Sequence, residues 1–267
     1  MALRGWTGAG IVVSDVVIVG AGRIGSVFAR LLPDARVVRR GEGIPAAACT
    51  ILCVGEDDLA GVWEALAGAA RSGEGVVVVQ NGLVGPWIAE RVPEPNLRAR
   101  VTRGVINFAA PARDGAAFPG GTSVFFGPEA GRVVRVLVAG GIPAREAADA
   151  TEFARAEATK LAWTCAFGLL GSVHACTVGE ILASHGEALD ALLAELTPVL
   201  AGAAGVALDA EGLRVDVRGY AAGIPGWSAR LKALDWRNGA VVRAARSQGL
   251  ASAVHEGWLA RVGILVT

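Results

Sequence analysis

Residues 16–26 read VVIVGAGRIGS and constrain the fold more than any other stretch. A run of β-branched residues enters Gly20-Ala21-Gly22-Arg23-Ile24-Gly25, and the chain leaves as Val27-Phe28-Ala29-Arg30-Leu31-Leu32. That pattern predicts strand, glycine turn and helix in succession. Gly20 permits the tight turn, Gly22 lets the backbone come close to a pyrophosphate, and Gly25 lets the helix pack close to the strand. The free N–H groups and positive dipole of the helix N-terminus then attract phosphate. A bare GxGxxG is common, and a glycine turn without a ligand is the alternative; the strand before it and the helix after it favour a dinucleotide site. The earlier Gly8-Ala9-Gly10 has no strand before it and carries no such reading.

The turn opens an alternation of strands and helices. Strands are predicted over 35–38, 49–54, 76–80, 101–108 and 122–126, with a helix over 59–70. This spacing gives a doubly wound Rossmann-type sheet through about residue 145. The second strand ends in Arg39-Arg40, where NAD-binding folds usually carry a carboxylate. Arginine suits the 2′-phosphate of NADP(H) by charge and by its planar fork; a solvated charge pair at a strand end is the bland reading. The valine-rich fourth strand runs into Gln80-Asn81-Gly82 at the carboxyl edge of the sheet, where ligands bind. There Asn81 is placed to bond a cofactor or a substrate, or simply to make an Asn-Gly turn. Cys49, Ile51 and Cys53 alternate onto one strand face, which favours buried thiols over a disulfide or metal role.

After residue 145 the pattern turns helical, with helices expected over 154–182 (weak points at Gly168 and Gly171), 188–201, 228–248 and 254–262. We therefore expect a cofactor domain at 1–145 and an all-helical substrate and dimerisation domain at 146–267. Lys160 stands in an apolar helical stretch with Thr164 one turn on. It reads equally as a general acid that protonates a developing alkoxide or as a lysine that snorkels to solvent. His174 lies too far along the helix to share a small substrate with Lys160, and His185 and His255 have no partner in the sequence. Ser228, Lys232 and Asp235 fall on one face of the expected late helix. Lys232 or Ser228 could hold a substrate carboxylate there, while an N-cap and a solvated stripe explain the same residues.

Lys+Arg and Asp+Glu balance at 25 each, so nothing suggests nucleic acid or an anionic membrane as partner. No apolar run reaches the roughly 18–20 uncharged residues of a spanning helix. Asp15 interrupts the signal-like start, which runs into the glycine turn, so a cytoplasmic protein is expected. No metal site is expected, and the apolar helical part could bury a homodimer interface.

Together these residues resemble the ketopantoate reductase (2-dehydropantoate 2-reductase) family over most of the chain. The resemblance rests on Gly20–Gly25, Gln80-Asn81-Gly82, Arg100-Val101-Thr102-Arg103-Gly104, Lys160-Leu161-Ala162 and CTVGEI at 176–181. It implies NADPH-dependent reduction of a 2-oxo acid in a cleft between a Rossmann and a helical domain. Lys160 matches the family's catalytic lysine and Asn81 its cleft asparagine. Several positions depart from the pattern. Two family asparagines are Thr164 and Gly168 here, a family lysine is Gly55, and the active-site glutamate of the late Thr-Glu-Ile-Asp pattern is Ala233 within Lys232-Ala233-Leu234-Asp235. The stretch after Ser228 is shorter than usual, whereas Asp235 and Asn238-Gly239 survive. Trp163, Trp227 and Trp236 beside these positions read either as the walls of a less polar pocket or as plain core. Ketopantoate is the default substrate; another ketone or imine, or NADP(H) binding without turnover, are the other readings.

Overall fold

The computed structural model describes residues 15–66, 75–92, 95–113 and 116–266. The Gly8–Gly10 turn, most of the signal-like start, and residues 67–70 of the helix expected over 59–70 lie outside these.

Strands β1 (Val16–Val19), β2 (Arg36–Val38), β3 (Cys49–Leu52), β4 (Gly75–Val78), β5 (Val101–Val105), β8 (Ser123–Phe126) and β9 (Ala144–Glu146) form one sheet. Its order is β2-β1-β3-β4-β5-β8-β9. The first five run parallel, β8 is antiparallel to β5, and β9 is parallel to β8. The period-2 pattern of β1 sends Val16 and Ile18 to one face and Val17 and Val19 to the other. On the first face they meet Val27 and Phe28 of α1 (Arg23–Leu31) and Leu137 of α5 (Ala130–Ala139). On the second they meet Leu59 and Leu66 of α2 (Leu59–Leu66) and Val84 and Ile88 of α3 (Val84–Arg91). Helices on both faces explain why the central strands are continuous apolar runs. Cys49, Ile51 and Cys53 share the first face, buried as expected, and all four cysteines are free thiols.

The strand expected over 101–108 is divided. β5 stops at Val105, and a separate hairpin pairs β6 (Phe108–Ala109) with β7 (Phe118–Pro119). Asn107 makes the break: its backbone N–H donates to Ser123 Oγ (3.0 Å) and its Nδ2 to the Thr122 carbonyl (2.9 Å). The short α4 (Pro95–Arg98) and α3, α5 and β9 were not anticipated.

α6 (Ala150–His174) starts at an Asp149 cap and passes through Gly168 and Gly171 unbroken. The reason is tertiary: a Cβ at Gly171 would sit 2.4 Å from the Ala229 carbonyl oxygen. The helix ends instead at Ala175, with φ 53°. A Thr177/Glu180 capping box then starts α7 (Val178–Ser184), so the stretch expected as one helix is two. α8 (Gly186–Ala204), the unanticipated α9 (Ala210–Ala222), α10 (Asn238–Ser247) and α11 (Ala253–Ala260) complete the helical part.

The helix expected over 228–248 is overturned. Residues 227–233 have no regular structure, a 3-10 turn follows at Leu234–Trp236, and only then does α10 begin. The backbone here bonds to other elements: Leu231 N–H donates to Ser172 Oγ (2.8 Å), and the Trp227 carbonyl accepts from Val178 N–H (2.8 Å). Ser228, Lys232 and Asp235 therefore share no helix face. Among the described residues no single helix is long and apolar enough to cross a membrane.

Candidate active site

Two cavities meet along the carboxyl ends of β1–β4. A larger one, about 760 Å³, runs from the glycine turn to Arg39, Arg40 and Glu42. A smaller one, about 370 Å³, continues past Arg23, Ile24 and Asn81 to Lys160, Trp163 and Trp227 of the helical part. Both are lined by Gly22, Cys53, Val54 and Gly55, so they form one groove over the sheet edge.

The glycines divide their roles as the turn requires. Gly20 has φ +105°, and a Cβ there would lie 2.7 Å from the Cys53 carbonyl oxygen. A Cβ at Gly25 would lie 1.8 Å from the Gly20 carbonyl oxygen, so only glycine lets α1 dock. A Cβ at Gly22 would have the Cys53 carbonyl oxygen as its nearest neighbour, at 3.9 Å; it faces the groove. Gly22 is the N-cap of α1 with no side-chain cap, and the first turn carries no carboxylate, so its N–H groups are left for an anion. Ala21 lines the groove beside them.

At the far end Arg40 grips Asp58 with two bonds (2.8 and 3.0 Å), and the Arg39 backbone N–H donates to Glu42 (2.8 Å). The expected arginines thus line the groove, joined by two carboxylates. At the near end Gln80 Nε2 donates to the carbonyls of Leu52 and Val54 (both 2.9 Å), tying β4 to β3. Asn81 follows on the cleft wall. Its loop is set by Gly82 (φ +120°), whose Cβ would meet the Trp236 carbonyl at 2.4 Å. That carbonyl accepts from Leu83 N–H (3.3 Å), and the Trp236 ring packs at a tilt against Trp87 at the edge of the sheet's core. Trp236 therefore holds the Asn81 loop and is not pocket lining; Trp163 and Trp227 do line the cleft.

Lys160 projects from α6 into this cleft. Its Nζ donates to Tyr220 Oη (2.9 Å) and lies 4.2 Å from the Tyr220 ring centre and 5.0 Å from that of Trp163. Burial, with the positive charge of Arg237 behind it, lowers the ammonium from 10.5 to about 7. Burial in turn pushes the Tyr220 phenol up to about 12. Thr164 lines the cleft, with its hydroxyl donating to the Lys160 carbonyl (2.8 Å). Lys232 reaches the cleft from the irregular segment, its ammonium lowered by burial and by Arg23 and Arg237. Asp235 does not: it is exposed and paired with Arg243 (3.2 Å). Ser228 is exposed and outside the cleft lining, although Trp227 and Ala229 beside it take part.

Three features escaped the sequence reading. Arg237, at the start of α10, forms an ion pair with Glu56 beyond β3; both side chains are nearly buried (12% and 13% exposed), and the pair joins the helical part to the sheet at the cleft. Tyr220 sits on the unanticipated α9. The histidines do have partners: His174 and His185 stack (3.7 Å between ring centres), and His255 Nε2 meets Asn238 Oδ1 at 2.6 Å in the core. None of the three lines the cleft.

No family model matches the chain, and no curated protein matches it in sequence. Solved structures do. A D-mandelate dehydrogenase, determined with NADH and anilino(oxo)acetate, superposes with a TM-score of 0.74 at 14% identity over 93% of this chain and 97% of that one. A ketopantoate reductase from Ralstonia eutropha gives 0.69 at 19% identity, again over 93% and 97%. The dimeric ketopantoate reductase of Staphylococcus aureus gives 0.70 at 18% identity over 92% and 96%. The chain thus has the fold of the ketopantoate reductases and of a D-mandelate dehydrogenase, a Rossmann-type sheet followed by a helical part, over nearly its whole length.

Proposed function

We propose that the protein is an NADPH-dependent reductase of a 2-oxo acid, with Lys160 as its general acid. The observation that carries this reading is a half-buried lysine, its ammonium lowered to about 7, in a cleft continuous with the groove over the glycine turn. A reduced nicotinamide bound there would supply a hydride. Gly20, Ala21, Gly22, Arg23, Ile24 and Gly25 form the turn for its pyrophosphate, Arg23 adding charge at the α1 N-terminus. Arg39 and Arg40 stand where a 2′-phosphate would lie, which supports NADPH over NADH. Asn81 offers an amide toward the nicotinamide and substrate. Lys160 orients the carbonyl oxygen by hydrogen bonding and gives it a proton as negative charge develops; an amine near pH 7 suits that exchange.

The cleft favours a substrate less polar than ketopantoate. Thr164 has its hydroxyl proton on a helix carbonyl, Gly168 offers no side chain, and Trp163 and Trp227 supply apolar walls. The solved relative with an aromatic 2-oxo acid analogue in its complex supports the same direction. The test is oxidation of NADPH, followed by absorbance, with ketopantoate and aliphatic and aromatic 2-oxo acids. Turnover of at least one is expected. Lys160→Ala should lower kcat by about 10²-fold or more while NADPH binding persists. Full activity in that variant would remove Lys160 from the chemistry.

A further inference from the structure

A third cavity, about 670 Å³, lies on the outer side of α6 and α9, lined by Asn107, Thr122, Thr159 and Asp216 among others. It shares three residues with the cleft: Lys160, Trp163 and Tyr220. The Lys160–Tyr220 hydrogen bond is therefore part of a wall between two spaces. Carbonyl reduction consumes a proton each turnover, and a cleft filled by cofactor and substrate leaves little room for water on its own side. We propose that Tyr220 relays protons from the outer cavity to Lys160, so that the catalytic lysine is recharged from behind.

The steps balance without further reagents. A reduced nicotinamide bound in the groove would supply the hydride to the carbonyl carbon. The carbonyl oxygen takes a proton from Lys160 Nζ, leaving a neutral amine. That amine takes the Tyr220 hydroxyl proton as the phenolic oxygen accepts one from water in the outer cavity. Concerted exchange avoids a free phenolate, which burial makes unfavourable here. Phenylalanine at 220 would keep the wall but break the relay, because it has neither donor nor acceptor.

The groups around the pair are few enough to read its titration. On the cleft side Lys160 faces Arg23, Arg230, Lys232, Arg237 and Glu56. Arg230 donates to the carbonyls of Gly171, Cys176 and Ala229, and Arg237 pairs with Glu56. On the outer side stand Arg155, Asp216 and the Arg145–Glu152 ion pair. No histidine lines either cavity. Tyr220 is also the only tyrosine in the chain, so fluorotyrosine labelling reports on it alone.

The proposal rests on the reductase reading, and two arms separate their failures. In the first, the fluorine resonance of 3-fluorotyrosine-labelled protein without substrate is followed against pH. An inflection near pH 7, absent in Lys160→Met, is expected; a resonance that ignores Lys160 would overturn the relay. In the second, Tyr220→Phe should lower kcat by about tenfold or more and enlarge its D2O effect, with KM and NADPH affinity unchanged. Thr159→Phe, which narrows the outer cavity, should do the same. Unchanged kcat and D2O effect in Tyr220→Phe would refute the relay. If the wild-type protein reduces no 2-oxo acid, the reductase reading falls and the relay with it, even where the fluorine inflection persists.

Discussion

Replacing Lys160 by Met should make the protein more stable below pH 7, and the advantage should be lost above pH 9. The ammonium is held among Tyr220, Trp163 and the core of α6, with Arg237 adding like charge. Lowering it from 10.5 to about 7 corresponds to about 5 kcal/mol against the protonated form, at 1.36 kcal/mol per tenfold. The side chain is half-buried, and Met gives up the bond to Tyr220 and two cation–π contacts, so roughly 2 kcal/mol of net gain is the reasonable expectation. The sign follows from proton binding. Between about pH 7 and 10.5 the unfolded chain holds a proton that the folded chain has released, so wild-type stability rises with pH there. The penalty is complete below pH 7 and fades toward 10.5; it is about 2.7 kcal/mol smaller at pH 9 than at pH 6, so the advantage of Met should be gone there. Paired urea titrations of the two proteins at pH 6 and pH 9 cancel every other titrating group and isolate this one. A stability difference between the two proteins that is the same at pH 6 and pH 9 would show that Lys160 is solvated and ordinary, and the case for a tuned acid would go with it.

The glycine turn makes a paired prediction. Gly25→Ala drives a methyl into the Gly20 carbonyl and should cost about 3 kcal/mol or more, read as a fall in Tm of roughly 6–12 °C. Gly22→Ala has room in the protein and should melt normally while losing about tenfold or more in NADPH affinity, because its methyl occupies the phosphate's approach. Equal effects of the two substitutions on both readouts would argue against the division of roles. At the other end, Arg39→Ala should weaken NADPH more than NADH. Asp58→Ala, by releasing Arg40 from its bidentate partner, should shift preference further toward NADPH. Parallel changes for both cofactors, measured by fluorescence titration, would remove these residues from 2′-phosphate recognition.

The groove was legible in the sequence because its signals are local. β1, Gly20, Gly22, Gly25 and the start of α1 are fixed by steric rules acting over ten consecutive residues. Lys160 was legible for a related reason: a single charge in an apolar helix stands out against its neighbours. Its partner did not stand out. Tyr220 lies on α9, whose residues 210–222 include Gly212 and Gly219 and the exposed charges Glu211 and Asp216, and no periodicity in that stretch points at Lys160. The Arg237–Glu56 pair was hidden likewise, since its members are 181 residues apart and meet only when the helical part docks on the sheet.

The failed helix at 228–248 shows how tertiary contacts override a local pattern, and it accounts for two of the departures from the ketopantoate reductase motifs. Residues 229–231 lie directly on α6: a Cβ at Gly168 would be 3.2 Å from the Arg230 carbonyl oxygen, and one at Gly171 only 2.4 Å from that of Ala229. A side chain as large as asparagine at 168 would push this segment off the helix. Glycine at 168 and a short stretch after Ser228 are thus one structural change, not two independent losses. The same close approach presents Lys232 to the cleft, while Ala233 turns through φ 44° and Asp235 is carried outward to Arg243. Polar groups absent from the helix wall are replaced by a backbone wall beside the Lys232 ammonium. That exchange reshapes the Lys160 end of the groove and leaves the glycine turn untouched.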